Sequence, residues 1–89
     1  MNKNLTLIIL TPEKILLTIK ETKRVSATLS DGSRISIYPY HAPLIAETKN
    51  GFIQYEKEGI NEKLNLYSGI IKVEKDLVKI FTDGFIQEN

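Results

Sequence analysis

The sequence predicts an all-β fold, a sandwich of about ten antiparallel strands forming a single domain over residues 1–89. Three observations carry this reading. Short apolar–polar runs alternate along the whole chain, and residues typical of turns separate them at short intervals. No window of ten or more residues holds apolar positions at the 3.6-residue period of a helix. Asp31-Gly32 and Lys49-Asn50-Gly51 are turn sequences that supply the positive φ of tight hairpins.

Taken in order, Leu5, Leu7 and Ile9 alternate as a first strand, with Ile8 and Leu10 suggesting burial on its other face as well. Thr11-Pro12-Glu13-Lys14 turns the chain, because proline cannot donate to a ladder. Lys14–Lys20 is apolar and β-branched and reads as a strand buried on both sides. Lys23–Leu29 alternates around Val25, Ala27 and Leu29, and Ser33–Tyr38 around Ile35 and Ile37. Further runs are Leu44–Thr48, Phe52–Lys57, Lys63–Tyr67, Ile70–Glu74, Leu77–Thr82 and the short Phe85–Gln87. Lys49-Asn50-Gly51 is expected to close a hairpin.

Between two of these runs lies the stretch that generic strand filler does not explain, Ile35–Ala46. It holds two of the three prolines and the only histidine. Pro39 and Pro43 fix their own φ and hold Tyr38 and Ala42 extended, so Tyr40-His41 sits on a short, stiffened turn. Such a turn suits display of a tip to a partner, since aromatic residues on rigid elements are favoured at interfaces. His41 has two readings: a turn histidine bonded to a nearby carbonyl or water, or an exposed contact residue.

Composition narrows the function. Twelve basic residues against eleven acidic ones leave a net charge of +1, which argues against a nucleic-acid partner. With no cysteine and one histidine, no metal site is expected. The apolar run Leu5–Leu10 is far shorter than a membrane span or a signal-peptide core, so the chain reads as soluble and unprocessed. Ser33 and Ser36 lie near His41 in sequence, but nothing marks a base–nucleophile pair. The glycines stand singly, so no phosphate-cradling loop exists. No catalytic residue and no cofactor are expected.

Several segments in sequence resemble the epsilon subunit of bacterial F-type ATP synthases. Leu5–Lys14 resembles the family's opening strand running into Val-Thr-Pro-Glu-Lys. Asp31-Gly32 followed by Ile35, Ile37, Pro39 and His41-Ala42-Pro43-Leu44 resembles its Asp-Gly…Leu-Gly-Ile-Leu-Pro-Gly-His-Ala-Pro-Leu stretch. Leu66–Gly69 is similar to its Val-Ser-Gly-Gly step, and Val78–Asp83 to its closing strand. Ser36 and Tyr40 replace two glycines of that pattern, Ile70 replaces a third, and Arg34 stands where many members carry Glu.

The resemblance implies a ten-stranded sandwich in the central stalk of a rotary synthase, a peripheral part of the complex on the cytoplasmic side of the inner membrane. It implies partnership with the gamma subunit and the c-ring, contact with the membrane only through the complex, and a coupling role without chemistry. Because the family's C-terminal pair of helices would follow Asn89, neither inhibition nor nucleotide binding is expected of this chain. Arg34, Tyr38, Tyr40, His41 and Ser68 are the candidate subunit contacts, with the Arg34–His41 end facing the ring. The competing reading is a free-standing β-sandwich that binds a ligand or carbohydrate.

Overall fold

A computed structural model describes residues 3–87. Among them are nine strands: β1 (Leu5–Leu10), β2 (Ile15–Thr22), β3 (Arg24–Thr28), β4 (Arg34–Ile37), β5 (Leu44–Thr48), β6 (Gly51–Lys57), β7 (Ile60–Leu66), β8 (Gly69–Glu74) and β9 (Leu77–Thr82). They form a five-stranded sheet, β2-β1-β9-β8-β5, packed on a four-stranded sheet, β4-β3-β6-β7. The Phe85–Gln87 run makes no full strand. Phe85 forms a single antiparallel bridge to Leu66, and the Ile86 amide donates to the Asn65 carbonyl at 2.8 Å, so this segment continues the β7 edge. The expected role of the chain's end at Asn89 lies outside the described residues.

All strand pairs are antiparallel except β1 and β9, which run parallel with Leu7 opposite Val78 and Ile9 opposite Ile80. Strands with one buried face place alternate residues inward. Leu5, Leu7 and Ile9 of β1 are buried, as are Val25 and Ala27 of β3, Ile71 and Val73 of β8, and Val78 and Ile80 of β9. Ile8 and Leu10 are only half-buried, so β1 has one core face rather than two.

The tight turns at Gly32, Glu58-Gly59 and Lys75-Asp76 join neighbours within one sheet. Glu58 and Gly59 both have positive φ, 52° and 77°, as a two-residue hairpin requires. Lys49-Asn50-Gly51 is different. β5 pairs with β8 and β6 with β3 and β7, so this turn carries the chain from one sheet to the other instead of closing a hairpin. Its glycine does adopt positive φ, 137°. Local turn chemistry is satisfied equally well by both outcomes, and burial of both flanking strands selects the crossing.

The chain also crosses between sheets at Lys23, at Tyr38–Pro43 and at Tyr67-Ser68. A crossing interrupts the ladders and leaves backbone groups to be paired elsewhere. Buried threonines do this beside three of the four crossings. The Thr22 hydroxyl donates to Ile19 O at 3.3 Å, Thr48 Oγ1 accepts from the Gly69 amide at 2.9 Å, and the Thr82 hydroxyl donates to Tyr67 O at 2.8 Å. Two hydrogen bonds stitch the sheets directly: Ser30 N to Glu47 O and Lys49 N to Thr28 O, both 2.9 Å.

Candidate interaction surfaces

The Tyr38–Pro43 crossing forms a tip at one end of the sandwich. Its prolines hold the chain extended on either side, and the His41 amide closes the turn on Tyr38 O at 3.2 Å. Tyr40, at the apex, has φ +70°, in the left-handed region that favours glycine. Tyr40 is 75% exposed and Tyr38 55%. His41 Nδ1 lies 2.6 Å from the Ala42 carbonyl. A carbonyl only accepts, so Nδ1 carries the proton and the ring is tied into its own turn.

Asp76, in the β8–β9 turn, ties this tip to the body of the fold. Its Oδ1 accepts from the Tyr40 amide at 3.3 Å, its Oδ2 pairs with Lys3 at 3.4 Å, and its carbonyl accepts from the Thr6 amide at 2.9 Å. The Lys3 ammonium also lies 5.9 Å from the Tyr40 ring centroid, within cation–π range.

Arg34 and Ser68 are at the other end. Ser68 precedes β8 and Asp76 follows it, so the six-residue strand separates them by roughly 20 Å. The Ser68 amide donates to Asn50 Oδ1 at 2.6 Å. Arg34 lies across the outer face of the four-stranded sheet, donating to Thr28 Oγ1 at 3.0 Å and Gln54 Oε1 at 2.9 Å. Of the five candidate contacts, the structure therefore brings Tyr38, Tyr40 and His41 together and keeps Arg34 and Ser68 apart from them.

The two outer faces differ in chemistry. That of the four-stranded sheet is a hydrogen-bonded polar layer. Ser26 and Ser36 bond each other at 2.8 Å in register beside Arg34, while Arg24 bonds Asn61 and lies 3.9 Å from Glu56. That of the five-stranded sheet carries an apolar row. Strand register places Ile15, Leu10, Phe81 and Ile70 side by side across β2, β1, β9 and β8. Three of them, Ile15, Phe81 and Ile70, are exposed. Exposed Ile45, on the same face of β5, lies opposite Lys72. In the alternating pattern these are water-facing positions, so the row is apolar where the other sheet's outer face is mostly polar.

Sequence reasoning found the tip but not Asp76, Lys3 or the apolar row. Asp76 looks like an ordinary turn residue, and the row exists only through register between strands far apart in the chain. Among the described residues no group of three or more His, Cys, Asp or Glu side chains gathers as metal ligands. An open cleft of about 530 Å³ lies between the two crossings at Lys49 and Ser68, lined by Glu47, Lys49, Asn50 and Ser68. No helix is long and apolar enough to cross a membrane among the described residues.

Residues 4–88 match the family model for the β-sandwich domain of the ATP synthase delta/epsilon chain. The chain is 26% identical over 81 residues to the ATP synthase epsilon chain of Symbiobacterium thermophilum, covering 91% of this chain and 58% of that one. It is 30% identical over 78 residues to that of Carboxydothermus hydrogenoformans, covering 85% and 55%. With that of Ruthia magnifica it shares 36% identity over 67 residues, covering 75% and 48%. The chain thus spans about half the length of these curated relatives. Its fold is shared with a chain in the Euglena gracilis mitochondrial ATP synthase OSCP/F1/c-ring structure, with TM-score 0.83, 15% identity, and coverage of 93% of this chain and 52% of that one. It is also shared with a chain in the Tetrahymena thermophila mitochondrial ATP synthase central stalk/c-ring structure, with TM-score 0.73, 13% identity, and coverage of 96% and 67%.

Proposed function

This chain belongs to the ATP synthase delta/epsilon chain β-sandwich family, and from that premise we propose that it is a non-catalytic subunit of the central stalk of a rotary ATP synthase. In this role it binds the gamma subunit and the c-ring and links ion translocation to ATP synthesis. It is a peripheral part of the complex on the cytoplasmic side, touching the membrane only through its partners. The observation that carries this reading is the match over nearly all of the sandwich. The apolar row of the five-stranded sheet supports it, because a stalk subunit must bury one face against a neighbour while the rest stays in water.

We assign that apolar face to the gamma subunit. The polar end, with Arg34, the Asp31-Gly32 turn and Ser68, suits the c-ring loops. We place the aromatic tip at the opposite end on the gamma side, because it runs directly into β5, whose exposed Ile45 shares the outer face of the five-stranded sheet with the apolar row.

The test is co-purification of this chain with the gamma subunit from the same organism. A stable complex is expected. Replacing Ile70 and Phe81 together by Ser is expected to weaken it at least tenfold while the chain stays folded, with a lowered melting temperature because the two side chains are partly covered and oppose each other across β8 and β9. Absence of a complex with the unaltered chain rejects the reading. In proteoliposomes carrying the synthase, omission of the chain is expected to lower the ions pumped per ATP hydrolysed; an unchanged ratio removes the coupling role.

A further inference from the structure

We propose that Tyr40 is a partner-reading residue held in a strained backbone conformation by Asp76, so that fold stability is lower with this residue than with glycine while binding is tighter. The inference rests on the functional reading above and deepens it at one residue. A non-glycine residue at φ +70° is unfavourable, and such conformations persist only where the surroundings hold them. Here the surroundings are identifiable. Asp76 accepts the Tyr40 amide and anchors Lys3, whose ammonium faces the Tyr40 ring.

What the strain achieves is exposure. An extended backbone would turn the side chain toward one face of a sheet. The left-handed turn instead sets Tyr40 at the apex, 75% exposed as a residue, beside exposed Tyr38, Ala42 and Pro43. Nothing in the core needs a tyrosine there. The Lys3 charge beneath the ring is balanced by Asp76, so the tip presents aromatic and apolar surface without net charge from this pair. That chemistry fits an uncharged apolar notch on a protein partner, into which a pre-ordered aromatic inserts with little loss of conformational entropy. The fit is to the gamma subunit, because the tip leads directly into β5, whose exposed Ile45 lies beside Lys72 on the outer face of the five-stranded sheet assigned above to gamma. An interfacial lipid layer is the other environment that takes tyrosine, and the test includes it.

The experiment measures the melting temperature of the full chain and its Kd for the purified gamma subunit in parallel. Tyr40→Gly is expected to raise the melting temperature by about 4–8 °C and to weaken binding at least tenfold. Those opposite signs are the signature, because a merely structural tyrosine would lower both. Tyr40→Phe keeps the strain and most of the ring and is expected to leave both near the original values. Asp76→Ala is expected to weaken binding, and Asp76→Asn, which keeps an acceptor for the Tyr40 amide, to restore most of it. A fall in melting temperature for Tyr40→Gly, or an unchanged Kd, overturns the proposal. So does Tyr40-dependent flotation with anionic phospholipid vesicles in place of gamma binding. If the unaltered chain does not bind gamma, the functional reading falls and takes this inference with it; if it binds and Tyr40→Gly binds equally well, only the inference falls.

Discussion

The backbone at Gly69 lies so close to that of Phe81 that a Cβ built on Gly69 would sit 1.7 Å from the Phe81 carbonyl oxygen. These residues lie beside each other in the β8–β9 ladder, where Gly69 opposes Thr82 and Ile70 opposes Phe81. The glycine is required for space rather than for an unusual φ. It lets β8 start flush against β9 directly after the Tyr67-Ser68 crossing.

Gly69→Ala is therefore expected to destabilise the fold by about 3 kcal/mol, at the upper end of overpacking costs, because the obstacle is backbone and cannot swing aside. Thermal or denaturant unfolding checks this. A loss within the few tenths of a kcal/mol typical of surface changes would mean that β8 and β9 can separate freely at this point.

Glu58 offers the opposite experiment. It occupies φ +52° next to Gly59 at +77° in the β6–β7 hairpin, and its side chain is exposed. Asn tolerates that conformation better than Glu, and Asn-Gly is the preferred pair for such a turn. Glu58→Asn is expected to raise stability by about 0.5–1 kcal/mol, read as a higher denaturant midpoint with an unchanged slope.

Asp31 reports on the β3–β4 turn through pH. The Ser33 hydroxyl at 2.6 Å and the Ser33 amide at 2.9 Å both donate to its carboxylate and hold its pKa below the ordinary aspartate value. A depressed folded-state pKa gives a contribution that is complete above the unfolded value, about 3.9, and is lost as pH falls through the folded one. Carboxyl NMR titration is expected to show Asp31 titrating below a free aspartate, and Ser33→Ala to move it back up. Titration at the ordinary value in both proteins would show that the turn is open in solution.

Arg34 tests the separation of the two ends. Arg34→Glu removes two hydrogen bonds on an exposed face and is expected to cost about 1 kcal/mol or less in stability. On the proposed contact of this end with the c-ring, it is expected to weaken that assembly, because the reversed charge would oppose a surface matched to a cation. Because Arg34 and Tyr40 lie at opposite ends, the effects of Arg34→Glu and Tyr40→Gly on assembly of the whole rotor should multiply without coupling. A strong departure from that product would mean that both ends touch one surface.

Strand alternation and turn chemistry are local, and most of the fold was legible from them. Leu5, Leu7 and Ile9 name their own core face through a period of two residues, and Gly32 and Gly59 mark real turns. The prolines around Tyr40 were enough to identify a displayed tip. What the sequence could not decide by itself is which strands meet. Asn50-Gly51 reads as a hairpin but crosses between sheets. β1 runs parallel to β9, near the far end of the chain, and only that pairing sets Leu10 beside Phe81 in an apolar row. Asp76 reaches the Tyr40 amide for the same reason, since the β8–β9 turn and the β4–β5 crossing arrive at one end of the sandwich only after both sheets are assembled. Arg34 and Tyr40, six positions apart in sequence, are separated because an extended strand converts short sequence distance into length. Local preferences act within a few residues, while the pairing of distant strands is set by how all of them together bury their apolar faces, and that is a property of the assembled sandwich alone.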